Sequence, residues 1–570
     1  MSGVWKGWLK RRFAAICAPS NPLVVEGRRG APRRRVVFVA AGFLAVYAAM
    51  SGRLVHLGMQ SLPESGGPAV RPTASRPDII DRNGALLATD IKMSSLFAEP
   101  RRIVDADEVI ERLSTVLADL DVEDTYAKLK SGKGFVWLRR QLTPRQQGDI
   151  MALGLPGIGF RTEKRRFYPG GPVASYIVGL TNLDNRGISG LEKYIDDQGL
   201  ADLQQLGMAT AASLAPVKLS VDLRVQHIVR DEALQAMTRF RAIAAGAVVI
   251  NAKTGEVVAM ASVPDFDPNN PVDAQSPDKL NRMSAGLYEM GSTIKSFTTA
   301  MALDSGKVDL NSTFDASRPL RIGRQIIRDF RGKGRVLTLP EVFLYSSNIG
   351  SAREADVVGI EGHREFLKRL GLLDRTRTQL PEVAQPTEPR VWKKVHSITA
   401  AFGHGFSTTP LQTAVGVVAL MNGGRLMPPT FLPRGLQEAL AVSEQVVKDK
   451  TSRDMRYIYK LNGEKGSGRS AAVPGYRVGG KTGTAEKVVN GRYSKDRNFN
   501  AFVAALPMDD PQFVILTIVD EPKRENSERA ATAGFSAGPM AANIIRRAAP
   551  MLGVMPRFEV EAAAENISIE

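Results

Sequence analysis

Cysteine is almost absent: Cys17 is the only one in 570 residues. An internal disulfide framework and a cysteine-rich zinc site are therefore excluded. Histidine is scarce as well. His56, His227, His363, His396 and His404 leave little material for a histidine-ligated metal. Long apolar runs are missing apart from one near the N-terminus, so the chain is not a polytopic membrane protein. Compositional bias is missing too. With 43% hydrophobic and 24% charged residues, a disordered or collagen-like chain is excluded. The length leaves room for about three or four domains.

Charge of one sign is present but concentrated. Lys plus Arg number 76 and Asp plus Glu 59, a net charge of +17. Residues 1–35 hold nine Lys or Arg against Glu26, a net of +8. A nucleic-acid binder needs a basic face on a folded domain, not a basic tail. Val36 to Gly52 follows with 17 uncharged residues. As a helix this run is roughly 25 Å long, near the minimum for a bilayer core. Leu54 to Met59 extends it past Arg53, which can snorkel or face a partner helix. Arg33, Arg34 and Arg35 directly before it place the tail in the cytoplasm and the rest of the chain outside. A cleaved signal peptide fits less well, because the run exceeds a normal signal core and Ala49-Met50-Ser51 is a poor cleavage site. The expected order is a basic tail (1–35), a transmembrane anchor (36–59) and a linker rich in Pro, Gly and Ser (60–77).

Asp78 to Ala88 reads as a strand pair around an Asn83-Gly84 turn. Mixed segments over 78–216 form one region, and 217–550 reads as a larger domain of mixed strands and helices. Within it, 247–250 and 256–261 are strands joined by a short turn. Phe513 to Val519 is a buried strand by its unbroken apolar run. Residues 551–570 read as a frayed acidic tail.

The chemistry lies in three short patterns. Ser292 and Lys295 are three apart at the start of a helical pattern, with Ile294, Phe297 and Met301 on one apolar face. A lysine whose pKa burial lowers can take the proton of a neighbouring serine. Ser346-Ser347-Asn348 comes 54 residues after Ser292, and Lys481-Thr482-Gly483-Thr484 another 135 later. The first pattern supplies nucleophile and base. The second supplies a relaying hydroxyl and an amide. The third is an edge strand offering a cation, hydroxyls and a backbone N–H for an oxyanion. Each alone is common: a serine can cap a helix and a lysine can be solvated. Ser276-Pro-Asp-Lys279 and Lys253-Thr254-Gly255 repeat two of the patterns in polar or turn contexts. The ordered triple is the informative signal.

Two rivals compete. Gly475 to Thr482 matches a phosphate-binding loop, but Pro474 precedes it and Gly483 interrupts any helix start. Gly534-Phe-Ser536-Ala-Gly538 matches a nucleophile elbow, but no histidine follows Ser536 to complete a triad.

On these residues the chain resembles the class B penicillin-binding proteins, from the anchor to about residue 550. Further matches are Arg76-Pro-Asp-Ile-Ile-Asp-Arg-Asn-Gly84, Arg166-Phe-Tyr-Pro-Gly170, Gly187-Ile-Ser-Gly-Leu-Glu192 and Phe402-Gly-His-Gly405 with Thr409-Pro-Leu-Gln412. Met290 and Ser296 replace prolines common beside the nucleophile. Ala533 to Pro539 replaces a usual Tyr-Gly-Gly block, which leaves that loop's role open. The resemblance implies an α+β protein with a single transmembrane helix, an elongated pedestal of the dimerisation type (78–216) and a transpeptidase domain (217–550) whose antiparallel sheet is flanked by helices.

The resemblance also implies D,D-transpeptidation without metal or organic cofactor. Ser292 would attack the penultimate D-Ala carbonyl of a peptidoglycan stem peptide. Lys295 would take the proton and Ser346 relay it. Asn348 would hold the peptide amide, and Lys481, Thr482 and Thr484 the terminal carboxylate. The backbone N–H groups of Ser292 and Thr484 would hold the oxyanion, Gly483 would belong to the same substrate-binding strand, and Gly479-Gly480 before it would let a ligand approach the backbone. β-Lactams would acylate the same serine. No glycosyltransferase domain is expected in 1–216. The Lys481–Pro507 stretch is more similar to the septal division type than to the elongation type. The implied partners are the inner membrane, a SEDS-type glycosyltransferase and other division proteins, with the catalytic domain in the periplasm and no nucleic acid bound. A non-catalytic scaffold or β-lactam sensor on the same fold is the alternative from another class. A β-lactamase would need a deacylating base that no Glu in the sequence is placed to supply.

Overall fold

The computed structural model describes residues 32–59, 76–200, 214–323, 325–489, 491–524 and 531–558. The basic tail to residue 31, the linker over 60–75 and the tail from 559 lie outside them. An N-terminal helix runs Pro32–Met59, 28 residues or about 42 Å. Its side chains are described over 37–53 and all are exposed, Phe38, Leu44 and Tyr47 among them. Among the described residues, no helix is long and apolar enough to cross a membrane.

The first lobe is built on the long strand Leu86–Ala98, which pairs antiparallel with Val136–Leu142 on one side and with Ile158–Phe167 on the other. Ile79–Ile80 folds back on its start through a turn in which Gly84 takes φ +92°, as the Asn83-Gly84 pair predicts. Ile79–Ile80 also pairs in parallel with Val217–Lys218, the segment that leads into the second lobe.

Three sequence stretches that look unrelated meet in one buried ion cluster. Arg76 Nε and Arg166 Nε bind the two oxygens of Glu192 at 2.7 and 2.6 Å. Arg76 also reaches Asp196 at 2.6 Å, and Arg166 reaches Asp90 at 3.2 Å. Glu192 is fully buried and both arginines are nearly so. Each guanidinium also donates to a carbonyl, Arg76 to that of Glu192 and Arg166 to that of Pro77. Buried charges persist only when their donors and acceptors are satisfied this completely.

The second lobe is a five-stranded antiparallel sheet: β1 (Ala244–Asn251), β2 (Val257–Val263), β3 (Gly479–Val489), β4 (Arg492–Leu506) and β5 (Phe513–Asp520), in the order β3-β4-β5-β1-β2. Successive residues face opposite sides of a strand. Val248 and Ile250 of β1 therefore enter one apolar core, while Ala247 and Val249 enter another. Both faces are covered, which is why β5 is an unbroken buried run. Helices α1 (Leu223–Arg239) and α6 (Ala537–Ala548) pack on one face. On the other lie α2 (Lys295–Asp304), α3 (Asn348–Val358), α4 (Pro410–Met421) and α5 (Asp449–Lys465). All residues of α2 and α4 are buried. The one-sided apolar face expected for the Ile294–Met301 helix is thus corrected to a helix enclosed all round, with small residues (Ala300, Ala302) and threonines filling the tighter sides.

Glu192 is the keystone of the ion cluster. Glu192→Ala removes the carboxylate between two buried guanidiniums and leaves Arg76 with Asp196 and Arg166 with Asp90 as their remaining acidic partners. The first lobe should lose about 3–5 kcal/mol, read as a lowered urea midpoint.

Candidate active site

Sheet and helices meet along the free edge of β3. Strand β4 pairs with β3 from Gly479 to Val489, and among the described residues the other edge of β3 has no strand partner. Its first residues are covered by α5, where the Asn462 side chain donates to the Gly480 carbonyl at 2.6 Å. Beyond that, the turn before α2 presses on the strand. A Cβ on Gly483 would lie 2.5 Å from the Met290 carbonyl oxygen, and one on Gly291 would lie 2.9 Å from that of Thr484. Gly291 also takes φ +52°, a left-handed conformation open to glycine. These glycines bring the Ser292 turn and the Lys481–Thr484 strand within backbone contact.

Ser292 is half-buried in a tight 3₁₀ turn, Gly291–Ile294, and the α-helix starts only at Lys295. In a 3₁₀ turn residues three apart eclipse each other. Ser292 and Lys295 therefore share a face, though the serine precedes the α-helix proper.

Lys295 is fully buried. Its Nζ donates to the Ser346 carbonyl at 2.5 Å, to Ser346 Oγ at 3.2 Å and to Asn348 Oδ1 at 2.7 Å. Lys481, also fully buried, donates to the same Ser346 Oγ at 2.9 Å. Ser346 thus receives both lysines, and does so with φ +55°, rare for a residue with a side chain. Ser292 stands outside these hydrogen bonds; its contact with the cluster is through the turn that carries it.

The Ser346-Ser347-Asn348 turn is held from beneath. Asp329 accepts from Ser347 Oγ at 2.7 Å and from the Ile349 amide at 3.0 Å. Ser347 Oγ caps α3 by accepting from the Gly350 amide. Asn348 Nδ2 donates to the Arg328 carbonyl, which leaves its second N–H available.

The electrostatics follow from burial. Desolvation pulls Lys295 down to about 7, against the opposing pull of Asp329 and Glu354. Lys481 is pushed well below an ordinary lysine by burial, and further by the neighbouring charge of Lys295. As an ammonium, Lys295 can donate to all its acceptors. As a free amine it has two N–H groups, which the Ser346 carbonyl and Asn348 Oδ1 can take. Its lone pair then faces a hydroxyl. The site can therefore accept a proton from a serine near neutral pH.

Thr482 and Thr484 are half-buried and alternate along β3 with the buried Lys481 and Gly483. The Ala533 amide donates to Thr484 Oγ1 at 3.1 Å, so the atypical loop fixes that hydroxyl and leaves its proton free to donate. The rival motifs dissolve. Lys481 lies in a strand, not at a loop-to-helix junction. Ser536 is buried and bound by Asn500 and the Thr532 carbonyl. Lys253-Thr254-Gly255 forms the β1–β2 turn. Asp329, Glu354 and Asn462 were missed from sequence. None left a signal there: Glu354 shares its face of α3 with Asn348 and Ser351, a polar stripe and not an interrupted apolar one.

Gly483→Ala should force strand and turn apart and slow acylation by a penicillin about 100-fold, the usual effect of a misplacement near 1 Å. Gly148→Ala, whose added methyl meets open space, should leave the rate unchanged in the same assay.

Residues 245–546 match the penicillin-binding protein transpeptidase domain, and residues 71–198 the penicillin-binding protein dimerisation domain. A probable peptidoglycan D,D-transpeptidase FtsI of Caulobacter vibrioides is 38% identical over 515 residues, covering 88% of this chain and 86% of that protein. The peptidoglycan D,D-transpeptidase FtsI of Escherichia coli is 31% identical, covering 79% and 80%. Stage V sporulation protein D of Bacillus subtilis is also 31% identical, covering 92% and 87%. Penicillin-binding protein 3 of Mycobacterium tuberculosis, solved with aztreonam, shares the fold at TM-score 0.64 and 24% identity, covering 85% and 98%. Two lobes, a buried two-lysine site at a sheet edge and these relatives agree: the chain belongs to the class B penicillin-binding proteins and is a peptidoglycan D,D-transpeptidase.

Proposed function

We propose that Ser292 is the nucleophile and Lys295 its general base. The observation that carries this is the fully buried Lys295, depressed to about 7 and one 3₁₀ turn from Ser292. Ser292 Oγ bonds to the penultimate D-Ala carbonyl carbon, and its proton passes to Lys295 Nζ. The C–N bond then breaks, and the terminal D-Ala leaves with a proton relayed by the Ser346 hydroxyl. An amine from a neighbouring stem attacks the resulting ester, forms the cross-link and frees the serine. The Ser292 and Thr484 amides hold the oxyanion. Lys481, Thr482 and Thr484 bind the terminal carboxylate along the free edge at Gly483, and the spare N–H of Asn348 binds the peptide carbonyl. β-Lactams, whose ring mimics the donor, acylate the same serine, in keeping with the aztreonam complex of the Mycobacterium tuberculosis relative.

The cellular role we favour is septal wall synthesis during division, supported by likeness to two relatives named FtsI. The uncharged run Val36–Gly52, with Arg33, Arg34 and Arg35 before it, supports reading the N-terminal segment as a single-pass inner-membrane anchor with its basic end in the cytoplasm. Residues 37–52 are uncharged and exposed on every side of the helix, a surface that needs lipid or another helix around it. Arg53 within it is the contact for a membrane partner of the SEDS glycosyltransferase class.

Intact mass after incubation with benzylpenicillin should show one bound drug molecule, and none for Ser292→Ala. Drug turnover without an adduct would mean a β-lactamase, and neither would mean a scaffold. The acylation rate should rise with pH as Lys295 loses its proton and level off above about 7. For the division role, Arg53→Leu should reduce septal localisation and co-purification of the glycosyltransferase. Unchanged behaviour in both would remove Arg53 from the interface.

A further inference from the structure

Behind Lys295 lies a polar seam between two core helices. Lys295 and Thr299 are four apart on α2, and so lie on one face. Across from them, α3 presents Asn348, Ser351 and Glu354, three apart in turn. Asn348 Oδ1 accepts from Lys295, and Glu354 Oε2 accepts from Thr299 Oγ1 at 3.0 Å. Thr299, Ser351 and Glu354 are all fully buried. Glu354 Oε1 and Ser351 Oγ have no hydrogen-bond partner among the described residues. A carboxylate enclosed this way, with one neutral donor, is a poor resting state for a charge. The carboxyl group avoids that state by holding a proton.

We propose that Glu354 is a positioning residue for acylation: it holds a proton in the seam behind Lys295 so that the lysine amine stands free as the base. This rests on the reading of Lys295 as that base. In the step it serves, Ser292 Oγ bonds to the acyl carbon and the hydroxyl proton moves to Lys295 Nζ. The donor C–N bond then breaks, and a proton passes to the leaving amine. Glu354 neither gains nor loses a proton overall. It sets which of two groups carries the seam's proton before the step begins.

The electrostatics agree. Burial pushes Glu354 up to about 8, against the Thr299 hydrogen bond and the charge of Lys295. Lys295 is pulled down to about 7 by burial. Burial therefore favours the neutral form of both groups, the carboxyl with its proton and the lysine without. The other charged groups facing Lys295 are Asp329, from the loop after strand Gln325–Ile327, and Lys481 of β3. His404 also interacts with Lys295, and burial biases it toward its neutral form.

An ionised Glu354 would hold Lys295 as an ammonium, whereas a protonated one leaves the lysine to titrate by itself. Glu354→Gln keeps the shape, a partner for Thr299 and the neutral state of the protonated carboxyl. Benzylpenicillin acylation by the full-length protein is followed by intact mass from about pH 5 to 9. The acidic limb of Glu354→Gln should keep its midpoint, and the infrared difference between wild type and this variant at neutral pH should show a protonated carboxyl group and no carboxylate. In Thr299→Val the band of that carboxyl should move to higher frequency as its carbonyl loses the Thr299 hydrogen bond. This second variant decides the matter if the glutamine variant does not fold. A midpoint that falls by about 1 unit in Glu354→Gln, or a carboxylate in place of the protonated carboxyl, overturns the proposal. A wild-type profile without any acidic limb instead sinks Lys295 as the base, a separate failure.

Discussion

Two lysines are buried against one serine hydroxyl, and that contact governs the site. Two ammonium ions cannot share a dry pocket at ordinary lysine pKa values, because each raises the energy of the other and burial raises both. Lys481 answers by falling well below its usual value, and Lys295 by falling to about 7. What a surface would punish only mildly becomes, in the core, the source of reactivity. The free amine is not created by a special residue. It results from placing an ordinary lysine where its charged form is expensive.

That placement depends on a backbone fit. The strand edge must lie close enough for Lys481 to reach Ser346, and the Ser292 turn must lie against the same edge. Gly291 and Gly483 remove the side chains that would hold the two apart. The sheet fixes the strand through its full pairing with β4, and α5 pins its start through Asn462. Asp329 pins the opposing turn by gathering Ser347 and the Ile349 amide. The strained φ of Ser346 is tolerated because both flanks are tied down. Side-chain chemistry and backbone shape are therefore one constraint seen at two scales.

Much of this was legible in the sequence. β5 announced itself as an apolar run, and the Asn83-Gly84 hairpin by its turn residues. The ordered triple named Ser292, Lys295, Ser346, Asn348 and Lys481 before any coordinates, and the structure brings the last four into one hydrogen-bonded group. The ion cluster was visible only as separate motifs, since nothing local says that Arg76 and Arg166 grip the two oxygens of Glu192. Periodicity misled for α2: every face of a central helix is buried, so an i, i+3, i+7 pattern records only part of it. Asp329 was invisible because its role is to satisfy a turn 18 residues away, a contact that depends wholly on tertiary folding. Glu354 was silent for another reason: its helix also carries Asn348, Ser351, Arg353 and Asp356, so one more polar residue marks nothing until packing buries it.

The same accounting bears on why an acyl-enzyme here would wait for an amine instead of reacting with water. Hydrolysis needs a carboxylate or other base able to hold and deprotonate a water beside the ester. The two carboxyls that act on Lys295 are committed elsewhere. Both oxygens of Asp329 are occupied in capping the Ser347 turn. Glu354 is sealed between helices with no exposed surface. Lys295 itself has its N–H groups directed to the Ser346 carbonyl and Asn348, which leaves its lone pair as the base. A single shared base suits a nucleophile that arrives bound in its own groove and is strong once deprotonated. An amine from a second stem meets that description, whereas a lone water, with no second group to orient it, does not. The commitment of both carboxyls that act on Lys295 is thus a structural reason for transfer over hydrolysis.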